Sequence, residues 1–272
     1  THRNKIGEVG YNLKGIATVT RQKYLTASEK GPWANSYDRW RNDNLTNRYQ
    51  GVQFGYTSAG RYTSWNDIWN YYGFKERDVL PGDYKYEDWN GDGEINGQDE
   101  HPFAFDQTPW LQFSLNAGLQ WKNFDFNMLL QGSALGSMEY KEPLHEIWGK
   151  NGGGALTQFL DRWHPVDPKA DPYDPSTVWT SGHYAYTGRW AKNNSAFNRV
   201  STAYLRLKSI ELGYTFPKLK QIPNASLRVY ANAYNLLTFT GVKFVDPEHP
   251  DDDLGRMYPL NKTYTLGVSL SF

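Results

Sequence analysis

Apolar and polar residues alternate without a break from Thr263 to the chain's last residue, TYTLGVSLSF. Tyr264, Leu266, Val268, Leu270 and Phe272 fall on one face of a strand, and Thr265, Gly267, Ser269 and Ser271 on the other. The same period of two recurs in stretches 11–20, 52–57, 109–134, 203–216 and 227–234. Within 109–134 it predicts a hairpin turning at Lys122 and Asn123, flanked by Trp121 and Phe124. In 203–216 the phase changes: Leu205 and Leu207 oppose Ile210, Leu212, Tyr214 and Phe216. That predicts a bulge or a membrane exit near Lys208 and Ser209. The reading is an all-β chain of about seven strands.

Between the strands the period changes or disappears. Trp65, Ile68, Trp69 and Tyr72 are spaced i, i+3, i+4, i+7 behind Ser64 and Asp67, which predicts a short capped helix. Leu156, Phe159, Leu160 and Trp163 predict another, after a flexible NGGG break at 151–154. Residues 26–47 read as a polar connection. Connections at 61–108, 139–198 and 241–262 are long, whereas those at Lys122 and at 217–224 are short. Short and long turns alternate in this way at the two ends of an outer-membrane β-barrel, and arms of about 9–11 residues suit a tilted membrane strand. By that parity Phe272 lies in the periplasm and the long loops lie outside the cell. The alternative for the closing strand is the edge of a soluble β-sandwich.

Composition narrows the field. Lys+Arg and Asp+Glu number 29 each, so the basic excess of a nucleic-acid binder is missing. There is no cysteine, hence no disulfide and no thiolate metal site. Mean hydropathy is −0.75, and no apolar run approaches the ~20 residues of a membrane helix; a barrel with a polar lumen and polar loops tolerates both. The opening THRNKIGEVG has no apolar signal-peptide core, as expected of a mature protein or a piece of a longer one.

The sharpest local chemistry is DWNGDGEINGQD. Asp88, Asn90 and Asp92 occupy positions 1, 3 and 5 of a calcium loop, Gly93 position 6, Glu94 position 7 through its carbonyl, Asn96 position 9 and Asp99 position 12. Oxygen donors at this spacing suit Ca²⁺, acting as a structural clip; the alternative is an unoccupied Asn/Gly turn. Trp179, Tyr184, Tyr186 and Trp190 cluster in a long loop and are candidates for gripping a sugar ring or a peptide side chain, or else for packing the loop on itself. The six histidines are scattered, and nothing marks a pair of carboxylates flanking a cleft, so no enzyme is expected.

Four segments, PGDYKYEDWNGDGEI, YLRLKSIELGYTFP, VYANAYNLLTFTG and YPLNKTYTLGVSLSF, resemble the C-terminal end of SusC/RagA-type TonB-dependent transporters in family order. The resemblance implies the last strands of an antiparallel transmembrane barrel of about 22 strands with a plugged lumen, in the outer membrane of Bacteroidota. It implies an N-terminal remainder carrying the plug and the other strands, with TonB acting through that plug. It also implies a SusD-like surface lipoprotein as lid, in a SusCD complex for nutrient uptake, with glycan or peptide cargo. On this reading the first strand, near Tyr11, pairs with the preceding strand of the remainder, and the strand at 263–272 closes the barrel against its first strand. The alternative function is a soluble, calcium-clipped β-sandwich that binds carbohydrate.

Overall fold

The computed structural model describes residues 1–27, 31–41, 45–71, 79–147, 155–188, 191–192, 194–217, 225–251 and 254–272. Seven strands form one antiparallel sheet: β1 (His2–Ile6), β2 (Val9–Val19), β3 (Leu111–Trp121), β4 (Phe124–Ala134), β5 (Tyr204–Phe216), β6 (Ser226–Thr240) and β7 (Thr263–Ser271). Each strand pairs with the next in the chain, so the sheet is an up-and-down meander whose two edges, β1 and β7, do not meet. Two-residue turns at Gly7–Glu8 and Lys122–Asn123 join the first two hairpins. Gly7 takes φ +61° and Lys122 φ +53° there. The 20–110, 135–203 and 241–262 connections all leave from the opposite end, so short and long do alternate.

Strand membership differs from the sequence reading in two places. The alternation at 52–57 does not join the sheet; Gln53–Gly55 pairs with His101–Ala104 inside the first long connection. Its place is taken by β1, whose HRNKI carries one apolar residue and declares itself only by pairing with β2. The strand near Tyr11 therefore pairs within the chain, contrary to expectation.

Register puts most apolar residues of the strands on one face, with Ile16 and Leu129 among the exceptions on the other. Val19, Leu111 and Ala134 stand in one cross-strand row, and Leu119, Phe126, Leu212, Ala231 and Leu266 in another. The expected irregularity is present: the β5 register shifts between Leu207 and Ser209 against both neighbours. One extra residue against β4 returns Leu205 and Leu207 to the face that holds Ile210, Leu212 and Tyr214. This apolar face stays open. Leu266 is 85% exposed, Val268 68% and Leu13 39%.

The buried core lies elsewhere, in the long connections. Among the described residues, Ile68, Pro81, Asp83, Asp99, Met138, Ser195 and Thr202 are the largest fully buried side chains, and none belongs to the seven strands. In the first connection, α2 (Trp65–Asn70) is N-capped by Ser64, whose side chain accepts from the Asp67 N–H. Ile68 packs with Tyr62 and Val79, and Lys85 ties Asp67 at 2.7 Å; Tyr72, assigned to this helix from the pattern, lies outside the described residues. A second helix, α1 (Ser36–Arg41), occupies part of the stretch read as connection. The helix expected around 156–163 is only a 3₁₀ turn, Thr157–Leu160. Phe159 is buried but Leu160 is 81% exposed, and the following His164–Pro165 pairs as a strand, so the apolar spacing there never becomes a continuous stripe. The NGGG break at 151–154 lies outside the described residues.

First and second connections lock through backbone contact. The Tyr56 N–H donates to the Asn194 carbonyl, and the Ala196 N–H to the Tyr56 carbonyl. Gly55 is needed beside them, because a Cβ there would run into the Asn194 carbonyl. Truncating the centre of the α2 core, Ile68→Ala, should cost about 2–5 kcal/mol of local stability. Hydrogen exchange should read it as faster exchange of the Tyr62 and Gly82 amides, with the β3–β4 ladder unchanged.

Candidate functional site

The loop at 88–99 is a tight turn whose Asp and Asn side chains accept from its own backbone amides. Asp88 accepts from the Gly91 N–H at 2.7 Å and the Gly93 N–H at 2.7 Å. Asn90 accepts from Asp92 N–H, and Asp92 from Glu94 N–H at 2.8 Å. Gly91 (φ +74°) and Gly93 (φ +83°) supply the left-handed conformations that side chains resist. Asp99 takes a different part. It is 1% exposed and lies beneath the loop, accepting from Trp89 and Asn96 N–H groups at 2.9 and 2.8 Å. With Asn96 it forms a capping box on the 3₁₀ turn Gly97–Asp99. The amide nitrogen of Asn90 donates to Asp92 at 2.8 Å and to Gln98 at 3.2 Å, so a neutral donor sits among the loop's oxygens. Among the described residues, no three His, Asp or Glu side chains converge closely enough to hold a metal ion. The residue types match a hard dication; the side chains are turned onto backbone amides.

The aromatic cluster divides. Tyr184 is buried with Ile147 and Phe159, its ring edge-on to Phe159 at 4.5 Å. Burial pushes its hydroxyl pKa up to about 12. That ring is committed to packing. Trp179 and Tyr186 meet edge-on at 5.4 Å and are partly exposed. Trp190 lies outside the described residues.

The periodicity left unmarked two charged groups on the polar face of the sheet. Near the short turns, Arg228 bridges Asp125 at 2.5 Å and Glu211 at 2.6 Å. Gly213 lets the guanidinium cross between strands, since a Cβ there would collide with Arg228 and Asp125. Near the long loops, Arg206, 2% exposed, takes Asp246 at 2.8 Å and Glu248 at 3.2 Å, and Lys208 holds Glu248 at 2.8 Å. This clamp ties the 241–262 connection to β5. The displaced phase at Lys208 and the acidic DPEHPDDD run were its traces in the sequence.

A seven-strand meander, apolar on one exposed face and carrying ion pairs on the other, is the form of a length of barrel wall. Known proteins match it. The chain is 28% identical over 211 residues to TonB-dependent receptor P3 of Formosa agariphila, covering 72% of this chain and 19% of that protein. It is 26% identical over 210 residues to the TonB-dependent receptor SusC of Bacteroides thetaiotaomicron, covering 76% of this chain and 19% of that one. The chain resembles SusC-type TonB-dependent receptors. No protein-family model matches it. The RagAB peptide transporter superposes over 99% of this chain and 28% of its own, with TM-score 0.62 at 18% identity, so the fold is shared with part of that transporter. The chain spans about a fifth of the length of the TonB-dependent receptors it matches.

The buried Asp99 makes a prediction for the 88–99 loop that needs no metal. Asp99→Ala removes the buried carboxylate to which the Trp89 and Asn96 amides donate; hydrogen bonds to a charged group contribute about 1.5–3 kcal/mol. Their exchange should accelerate, while Ser64-capped α2 should keep its protection; unchanged exchange at Trp89 would remove Asp99 as the loop's anchor.

Proposed function

We propose that the chain is the C-terminal part of the barrel wall of an outer-membrane, TonB-dependent importer of the SusC type, in a member of the Bacteroidota. The observation that carries the reading is the pairing of faces: one continuous apolar face left exposed, and one polar face bearing the Arg228 and Arg206 networks. The apolar face meets lipid. The polar face lines the lumen. The 61–108, 139–198 and 241–262 connections lie outside the cell, with Phe272 in the periplasm. The open edges of β1 and β7 present unpaired backbone groups that lipid cannot satisfy. They pair with further strands of the transporter, whose plug receives energy from TonB. A SusD-like lipoprotein closes over the loops as lid, and glycans or peptides are the cargo of transport. The chain's part is wall and loop, without catalysis. The soluble sandwich is the weaker reading, because a sandwich buries its apolar face against a second sheet and here that face is exposed.

The test sets the two faces against each other. Val268→Arg, at an outward position, should cost about 2–4 kcal/mol of barrel stability, and Ser269→Arg far less. Urea titration of the whole barrel in lipid measures both. Equal costs would sink the barrel reading.

Calcium belongs to the same proposal. Asp88, Asn90, Asp92 and Asp99, with Asn96 and the Glu94 carbonyl, are the residues that would hold it, by turning their oxygens away from the loop's own amides, and the ion would supply a clip that stiffens the loop. Millimolar Ca²⁺ should then slow exchange of the Gly91–Glu94 amides, EDTA should reverse the effect, and Asp88→Ala should abolish it. Indifference of those amides to calcium rejects the clip.

A further inference from the structure

The outward face of the sheet is not level. β6 places Ala231 and Ala233 on it, and register sets Leu212 and Ile210 beside them on one flank and Leu266 and Tyr264 on the other. The two alanines floor an open furrow of about 660 Å³, and the larger side chains are its banks. Ala233 is 8% exposed where Leu266 is 85% and Tyr264 68%, so the floor lies well below the banks. Val229, the next outward residue of β6, bounds the end toward the short turns. Floor and banks belong to this chain, so the furrow does not depend on the strands that complete the barrel. Its depth in the membrane follows from β7, whose nine residues are about what a tilted strand needs to cross the hydrocarbon. Tyr264 and Leu266 are in the loop-side half of that strand. Lys262 is exposed, in phase with them, and stands one residue before the strand begins.

We infer that the furrow seats one acyl chain of a phosphate-bearing lipid of the outer leaflet, with the phosphate on Lys262, an inference that rests on the importer reading. Contact is the argument for the tail. A chain lying on a level apolar face is touched on one side, whereas a chain between the banks is touched on three, and dispersion grows with the number of atom pairs. The floor is only two alternate strand residues long, about 7 Å. That is too short to seat a partner's helix or strand, and long enough for several methylenes. Charge is the argument for the head group. The paired outward positions of β3 to β7 carry no Asp, Glu, Lys or Arg, so Lys262 is the first charge met along β7 beyond the furrow. An ammonium at that level attracts an anionic head group. The Tyr264 ring, apolar with a hydroxyl at its tip, suits the same boundary. A neutral lipid would fill the furrow and leave Lys262 unused.

The experiment uses the complete transporter complex, purified in detergent, stripped of lipid and titrated with monophosphoryl lipid A, with native mass spectrometry counting the lipids bound. One lipid per transporter should bind more tightly than the rest. Ala231→Leu fills the furrow with a side chain that hydrocarbon accepts, and should weaken that lipid about tenfold, the loss of about two buried methylenes. Ala117→Leu, at an outward position of β3 away from the furrow, should leave it unchanged. Lys262→Ala should weaken it about fivefold, and Lys262→Arg should retain it. Dephosphorylated lipid A should bind the parent as weakly as monophosphoryl lipid A binds the Lys262→Ala variant. Millimolar inorganic phosphate, which has no tail, should not compete. The inference is overturned where no lipid stands out from the rest, where Ala231→Leu or Lys262→Ala binds like the parent, where removing the phosphate from the lipid changes nothing, or where inorganic phosphate displaces it. It is overturned equally where Ala231→Leu changes the number of transporters in the complex, which would make the furrow a protein contact. None of these outcomes touches the contrast between Val268→Arg and Ser269→Arg, so failure of the furrow is distinct from failure of the importer reading.

Discussion

Cross-strand register is the constraint on which the rest of the molecule depends. Side chains alternate along a strand, so a slip of one residue would move the whole apolar set of that strand to the polar side. The cost would be double here: Leu266 or Phe126 turned among ion pairs, and Arg228 or Arg206 turned outward. The shift between Leu207 and Ser209 is the local repair that keeps the rule. Without it the upper and lower halves of β5 would present leucines to opposite faces. It also leaves Lys208 free to reach Glu248, so the correction of one pattern creates part of the loop clamp.

Stability is distributed unusually as a result. The seven strands bury little apolar surface within the chain, while the connections bury Ile68, Met138, Phe159 and Tyr184. The connections therefore behave as a folded layer with its own hydrophobic clusters. The strap at 241–262 belongs to both parts. Its acidic residues grip the wall through Arg206 and Lys208, while the Tyr140 hydroxyl accepts from the Lys243 N–H at 2.8 Å and holds it to the second connection.

The strands were legible in the sequence wherever both faces left a mark. β3, β4 and β7 alternate cleanly, and the hairpin at Lys122 fell where the pattern stopped. β1 was not legible: HRNKI is polar on both faces, and its strand conformation comes from the partner β2. The 52–57 stretch was legible as extended chain but not as to its partner, because alternation fixes a conformation and says nothing of which neighbour satisfies it. In the 88–99 loop, glycines and Asx residues announced a tight turn, and the turn formed. That Asp99 faces inward as a cap was hidden, since it depends on backbone amides that only folding brings together. The polar row on the inner face was unreadable for the same reason: Thr18, Gln112 and Ser133 are far apart in sequence and adjacent only through the ladder.

The wall asks little of any single residue. On the barrel-wall reading proposed above, its outward positions outside the β6 furrow need an apolar side chain of almost any shape, because fluid hydrocarbon conforms to what it meets, where a packed protein interior does not. Its inward positions need only be wettable, apart from places such as Gly213 and Gly267, where Arg228 and the Tyr230 ring occupy the space of a side chain. A lineage can therefore exchange leucine for valine or serine for threonine along these strands almost freely, and mutational drift will erase the letters long before it erases the shape. At Gly213 and Gly267 a side chain would meet an occupied space, and at Arg206 and Arg228 a substitution would leave carboxylates without their partner.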